Sequence, residues 1–205
     1  YDQYVHYVPI AQNFSRWLVR KMSKDFCNLC DLVVTPTSMI EDLLRKYGVR
    51  TSIETIPTGI NLKNFEKGDH SWLRASYPIA PGDQVLLFVG RLGTEKNLDF
   101  LLQAFKAINK QLPNTTLVLV GSGPQELHYK ELCRSLGLEE RTVFTGTLNQ
   151  EQVINAYLGS DLFIFASVTE TQGLVLGEAH AAGLPIVAVE AFGTKDMVTS
   201  GYNGF

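Results

Sequence analysis

From residue 85 onward, short apolar runs rich in β-branched and aromatic residues alternate with longer amphipathic stretches, and this alternation narrows the fold more than any other feature of the chain. The expected strands are residues 85–90, 115–120, 143–145, 162–165 and 186–188, each nearly continuous in apolar residues, as strands covered on both faces are. The expected helices between them are 98–111, 125–136, 151–158 and 174–182. Asn149 and Gln152 have the spacing of an N-capping box, and Gly137 and Gly183 stand where helices would end. Strands joined through helices run parallel, so the fold class is α/β: a Rossmann-like, doubly wound parallel sheet.

The first sixty residues read as a helix at 13–29, a strand at 32–35, a helix at 38–47 opened by a Ser38/Glu41 capping box, and a strand at 53–56. Pro57-Thr58-Gly59-Ile60-Asn61 is turn chemistry, followed by polar residues through Asp69. Residues 1–61 are therefore expected to be the end of one α/β domain with its linker, and 62–205 a second domain. A chain of 205 residues has room for one domain and part of another. It begins without Met and stops just past a Gly-Tyr-Asn-Gly turn. It is expected to be a piece of a longer protein, truncated at its C-terminus.

Composition removes several function classes. The net charge of −3 is spread without a long like-charge block, which argues against a nucleic-acid scaffold. The longest apolar stretches, 85–89, 117–120 and 162–166, fall far short of the roughly 18–20 residues that span a bilayer. Three cysteines do not make a disulfide framework and suit reduced thiols in a cytoplasmic setting. Cys27 and Cys30 form a C-x-x-C without a second ligand pair for zinc, so packing on a helix face is expected.

In open parallel sheets, ligands bind beyond the carboxyl ends of the strands. The first such loop, Gly90-Arg91-Leu92-Gly93-Thr94-Glu95-Lys96-Asn97, sets two cations in a glycine-flanked turn opening a helix. A guanidinium fork, an ammonium and helix N–H groups together suit a diphosphate, although a solvated loop is the plainer alternative. Neither common nucleotide fingerprint is present. Gly121-Ser122-Gly123-Pro124 has Glu126 where a third glycine belongs, and Ala188 stands where a Walker loop ending at Gly193 needs its leading glycine.

A third segment, residues 167–185, carries Glu170 and Glu178 with seven residues between them. On a continuous helix they would lie about 12 Å apart along the axis. That exceeds the roughly 5–9.5 Å of a glycoside-hydrolase pair and suits two ends of one extended ligand. The amides of Gln172, Gly173 and Leu174 between them could face phosphate oxygens.

The run V-G-R-L-x-x-E-K-N at 89–97 and the pattern E-x-x-G-L…E-A-x-A-x-G-x-P at 170–185 resemble the donor-sugar signature of retaining glycosyltransferases of the GT-B fold, the group 1 family. Gly121-Ser122-Gly123-Pro124, Phe144-Thr145-Gly146 and the I-P-T-G-I-N segment at 56–61 extend the resemblance over essentially the whole chain. It implies that Arg91 and Lys96, in the turn led by Gly90, bind the diphosphate of a nucleotide-sugar and that Glu178 binds ribose hydroxyls. It further implies that Glu170 meets the donor sugar, that the amides of Gln172–Leu174 meet sugar or phosphate, and that Phe144, Thr145 and Gly146 lie near the base. Gly121 and Gly123 would let the chain pass close to the nucleotide. Thr171-Gln172-Gly173 departs from the commoner E-x-F-G-L version and is similar to enzymes that glucosylate diacylglycerol. Tyr4-Val5-His6-Tyr7-Val8-Pro9 also resembles their acceptor domain, which places His6 on the acceptor side.

On helix 13–29, Arg16, Arg20 and Lys24 form one row with Lys21 adjacent, while Phe14, Leu18, Met22 and Phe26 form another beside Trp17. Such a helix can lie on an anionic bilayer, the alternative being a solvated face over a packed core. His70 and His128 are scattered, and His180 is expected to pack or hydrogen-bond locally. The resemblance implies transfer of a hexose, with glucose from a UDP-sugar favoured, to a lipid or other hydroxyl acceptor, diacylglycerol-like by resemblance, with retention. The nucleotide-sugar is then a substrate; no cofactor, no metal and no nucleic-acid partner is implied. The setting is cytoplasmic, peripheral at the inner face of the membrane. A nucleotide-sugar epimerase of the same fold and a non-catalytic nucleotide-sugar-binding or membrane-surface module remain alternatives. These 205 residues alone are expected to hold donor weakly without turnover, because the opposing wall of the cleft is missing.

Overall fold

A computed structural model describes residues 12–191, 193–194 and 197–205. His6 and the segment around it, 4–9, lie outside the described residues. The chain divides into two compact units between Thr58 and Gly59, inside the turn that the sequence marks as a linker.

The first unit holds α1 (Gln12–Cys27), β1 (Val33–Thr35), α2 (Ser38–Tyr47) and β2 (Ile53–Thr55), with β1 and β2 paired in parallel. The expected Ser38 cap is corrected by one residue. Thr37 has the extended backbone of a cap and its hydroxyl accepts from the Ile40 N–H, while Glu41 pairs with Arg45 at 3.5 Å. At the other end Gly48, left-handed at φ 92°, donates to the Arg45 carbonyl. On α1 the rows divide differently from an ordinary solvated helix. Arg20 lies over the Tyr47 ring of α2 at 5.5 Å, and the Lys24 stem passes beside Gly48. The apolar row Phe14, Leu18, Met22 and Phe26 is exposed, as is Arg16. Cys27 ends α1 half-buried; Cys30 is past the helix, in the following turn, with its Sγ donating to the Phe26 carbonyl at 3.5 Å, so only one of the pair is on the helix face.

The second unit opens with a 3-10 turn at Leu62–Asn64 and a short helix, α3 (Trp72–Ser76), which the sequence pattern did not signal. Five strands follow: β3 (Gln84–Val89), β4 (Thr115–Val120), β5 (Thr142–Gly146), β6 (Leu162–Phe165) and β7 (Ile186–Ala188). They form one parallel sheet in the order β5-β4-β3-β6-β7. Every residue of β4 is buried, as a strand covered on both faces requires. The covering helices are α4 (Leu98–Gln111), α5 (Glu126–Leu136), α6 (Gln150–Leu158) and α7 (Leu174–Ala181). In α4, Leu98, Leu101, Leu102 and Phe105 recur at helical spacing and are buried. The Asn149/Gln152 capping box forms with both of its hydrogen bonds, and Gly137 closes α5 in the left-handed conformation at φ 72°. Gly183, at φ 75°, comes one residue after the α7 cap Ala182.

The chain winds from β3 outward to β5 and then returns to the far side of β3 as β6. The direction of winding therefore reverses between β3 and β6, and the loops leaving those two strands flank a crevice of the kind in which open α/β sheets receive ligands.

Candidate nucleotide-sugar site

The loop after β3 is fixed by backbone. Gly90 N donates to Val120 O and Leu92 N to Ser122 O, both at 3.0 Å, and Gln125 N returns a bond to Leu92 O at 3.0 Å. A Cβ on Gly121, whose φ is 127°, would overlap the Gly90 carbonyl, and one on Gly123 would come within 2.7 Å of Leu92 N. The close approach that Gly121 and Gly123 permit is thus to the 90–92 loop. The buried Tyr129 hydroxyl donates to Gly93 O at 3.1 Å and pins the outer part of the loop.

The two cations of this loop have different surroundings. Arg91 is 63% exposed, with its guanidinium 4.0 Å from the Glu95 carboxylate, which is itself only 4% exposed. Lys96 ends a 3-10 turn, Thr94–Lys96, and Asn97 then takes a left-handed φ of 55° to redirect the chain into α4. The Lys96 ammonium sits 6.0 Å from the centroid of Phe165, at the end of β6, and forms an ion pair with Glu170 from the loop after β6. Both partners are 17% exposed. The sequence predicted each residue as a ligand contact; the structure joins them across the crevice.

As the expected helix at 174–182 implied, Glu170 precedes α7 and Glu178 lies within it, so the segment between them is not one helix and the spacing of a continuous helix does not apply. Gly173 caps α7 in the left-handed conformation at φ 69°, without a side-chain bond to the first turn, and Gln172 beside it is buried. Leu174 begins the helix and is exposed. Glu178, one turn in, accepts a hydrogen bond from the Tyr157 hydroxyl of α6 at 2.9 Å. Burial, then the Glu178 charge and its hydrogen bond, hold the Tyr157 phenol well above its ordinary pKa, so it remains a donor.

At the end of β5, Lys130 stands 5.5 Å from the Phe144 ring centroid, the Thr145 hydroxyl donates to Gly146 O at 2.9 Å, and Gly146, at φ 71°, accepts from Gly121 N at 2.9 Å. The Ser122 and Thr147 hydroxyls meet at 2.8 Å. Gly90, Arg91, Gly121, Ser122, Thr147 and Leu148 line an open cleft of about 250 Å³. Sequence reasoning named Ser122 only as part of the Gly121–Pro124 turn and missed Thr147 and Tyr157, which belong to no charged or glycine pattern. His180 Nε2 lies 3.0 Å from Met197 O and 3.3 Å from Asn203 Nδ2, so its partners are in the segment after β7 rather than local in sequence. Among the described residues no cluster of three His, Cys, Asp or Glu could hold a metal ion.

A family model described as glycosyl transferases group 1 matches residues 71–205, more than half of the chain, and one described as glycosyltransferase family 4 matches residues 2–64. The chain belongs to the group 1 glycosyltransferases. An alpha-monoglucosyldiacylglycerol synthase of Streptococcus pneumoniae is 33% identical over 92% of this chain and 44% of its own length. A sulfoquinovosyl transferase of Arabidopsis thaliana is 37% identical over 97% of this chain and 38% of its own. Among solved structures, Anabaena HepE in complex with UDP and glucose superposes with a TM-score of 0.82 and 26% identity over 92% of this chain and 52% of that one. The chain spans about half the length of the curated relatives it matches. The α/β architecture expected from the sequence is that of the GT-B glycosyltransferases.

Proposed function

We propose that this chain supplies the donor side of a retaining hexosyltransferase that moves glucose from UDP-glucose to a diacylglycerol-type lipid. The observation that carries the reading is the meeting of Lys96 and Glu170 at the β3/β6 crevice, with Arg91 displayed on the same loop. A diphosphate takes the place of Glu170 on Lys96, and the released carboxylate is then free for the hydroxyls of the hexose. Arg91 and Lys96 stabilise the charge that grows on the diphosphate as the sugar becomes oxocarbenium-like. A diphosphate oxygen helps accept the proton of the incoming hydroxyl. Glu178 holds the ribose, the 172–174 turn faces sugar or phosphate, and residues 144–146 border the base. The two cations neutralise the leaving group, so no metal is required.

Glucose, UDP and the lipid acceptor are supported by the names of the glucosyldiacylglycerol synthases and by the UDP and glucose bound to HepE. The exposed apolar row of α1, with the exposed Arg16 on the same helix, supports peripheral attachment at the inner face of the cell membrane. No helix among the described residues is long and apolar enough to cross a membrane.

The test is a panel of UDP- and GDP-sugars offered to the intact protein with and without diacylglycerol in anionic vesicles. An α-glucolipid formed only with UDP-glucose and lipid, unaffected by chelator, is the expected product, and Arg91→Ala lowers turnover by about 10²–10³. Sugar interconversion without acceptor identifies an epimerase instead, and binding without any turnover identifies a non-catalytic module.

A further inference from the structure

Tyr157 is a fully buried polar side chain that no motif singled out. Its ring packs between Phe65 and Phe163, with centroids 6.4 and 5.5 Å away. Its hydroxyl lies 2.9 Å from Glu178 Oε2 and 3.2 Å from Val175 O, both on α7. A phenol has one proton, and the ionised carboxylate is the stronger acceptor. Glu178 Oε1 carries no hydrogen bond among the described residues, so one carboxylate oxygen is tied to the core and the other is not.

We propose that Tyr157 is a positioning residue for Glu178: it holds Oε2 so that Oε1 is presented, already oriented, to the vicinal hydroxyls of a ribose. The inference rests on Glu178 being the ribose contact, as read above. A glutamate left to itself loses much rotamer freedom when it binds, and a side chain fixed beforehand spares the ligand that loss. The aromatic packing holds the ring in place, and the hydroxyl transmits that rigidity to the carboxylate. Tyr157 touches no substrate atom and acts only through Glu178.

The test uses the intact protein and calorimetric titration with UDP and with 2′-deoxy-UDP and 3′-deoxy-UDP. Tyr157→Phe removes one oxygen and keeps the ring between Phe65 and Phe163, so the fold is retained, which a thermal melt verifies. The wild type is expected to prefer UDP over the deoxy analogues by about tenfold or more, the contribution of a hydrogen bond to a charged group. Tyr157→Phe shrinks that preference to about threefold or less and raises KM for the nucleotide-sugar with little change in kcat, as loss of uniform ground-state binding does. In a Glu178→Ala background the same change adds nothing, because the residue acts through the missing carboxylate. An unchanged preference in Tyr157→Phe, where Glu178→Ala abolishes it, overturns the positioning role alone. A preference that survives Glu178→Ala overturns the ribose reading and this proposal with it.

Discussion

Replacing Glu170 with Gln separates two effects of opposite sign. Lys96 and Glu170 are each 17% exposed, which places their pair between surface pairs worth about 0–1 kcal/mol and buried ones whose breaking costs about 3–5 kcal/mol. Glutamine keeps the size of the side chain and a carbonyl oxygen for the ammonium, and it removes only the charge. The folded state should therefore lose about 1–2 kcal/mol, the charge-assisted part of the bond. UDP should respond in the other direction. On the proposed function its diphosphate displaces Glu170 from Lys96 in the wild type, and UDP carries no hexose with which to use the released carboxylate.

Removing the competing charge should tighten UDP binding by about 5–30-fold, the equivalent of the same 1–2 kcal/mol. Turnover of the nucleotide-sugar should fall, because the neutral side chain grips the hexose less well. Calorimetric UDP titration and thermal melts of wild type and Glu170→Gln measure both quantities on the same samples. UDP binding that is unchanged or weaker in the variant, with an unaltered melting temperature, would refute the idea that Glu170 keeps the diphosphate's place on Lys96.

Gly121→Ala should destabilise the fold by more than the roughly 1–3 kcal/mol of an unfavourable backbone conformation, because its Cβ overlaps the Gly90 carbonyl. Gly137→Ala, at a positive φ with no atom within 4 Å of the added carbon, should show only the backbone part, so equal urea midpoints for the two variants contradict the loop-on-loop packing. Alkaline stability should report Tyr157. Its folded pKa is raised, so its contribution is complete below pH about 10 and is lost as pH climbs towards the folded value, at up to about 1.4 kcal/mol per pH unit. Tyr157→Phe should flatten the melting-temperature profile above pH about 10, and identical wild-type and variant profiles would contradict the assignment. Burial pushes the Cys133 thiol up, with the Glu139 charge adding. A thiol reagent should therefore label Cys133 only on unfolding, while the half-buried Cys27 and Cys30 react in the native protein.

The sheet was legible because its strands are covered on both faces and so read as unbroken apolar runs; β4, buried at all six positions, is the plainest case. Helix α3 was not, since five residues hold too little periodicity and bury only Leu73. The cap of α2 was misplaced by one residue because Thr37 and Ser38 offer the same hydroxyl chemistry, and only backbone geometry, extended at Thr37, decides between them. The site shows a deeper limit. Lys96 and Glu170 are 74 residues apart, and no local spacing reports a contact made where the sheet reverses its winding. Read along the chain, Arg91 and Lys96 are two equivalent cations of one phosphate loop. In the fold Arg91 faces solvent 4.0 Å from the Glu95 carboxylate, while Lys96 is half-enclosed in an ion pair with Glu170. The loop bearing them is locked to the 121–124 turn by backbone bonds that need glycine at 121 and 123, so its backbone is set before any ligand arrives. The adjustable parts of the site are then side chains, and the order of events follows from their exposure. On the function proposed here, Arg91 is to meet an incoming diphosphate first, and the exchange at Lys96 is the step that would free Glu170.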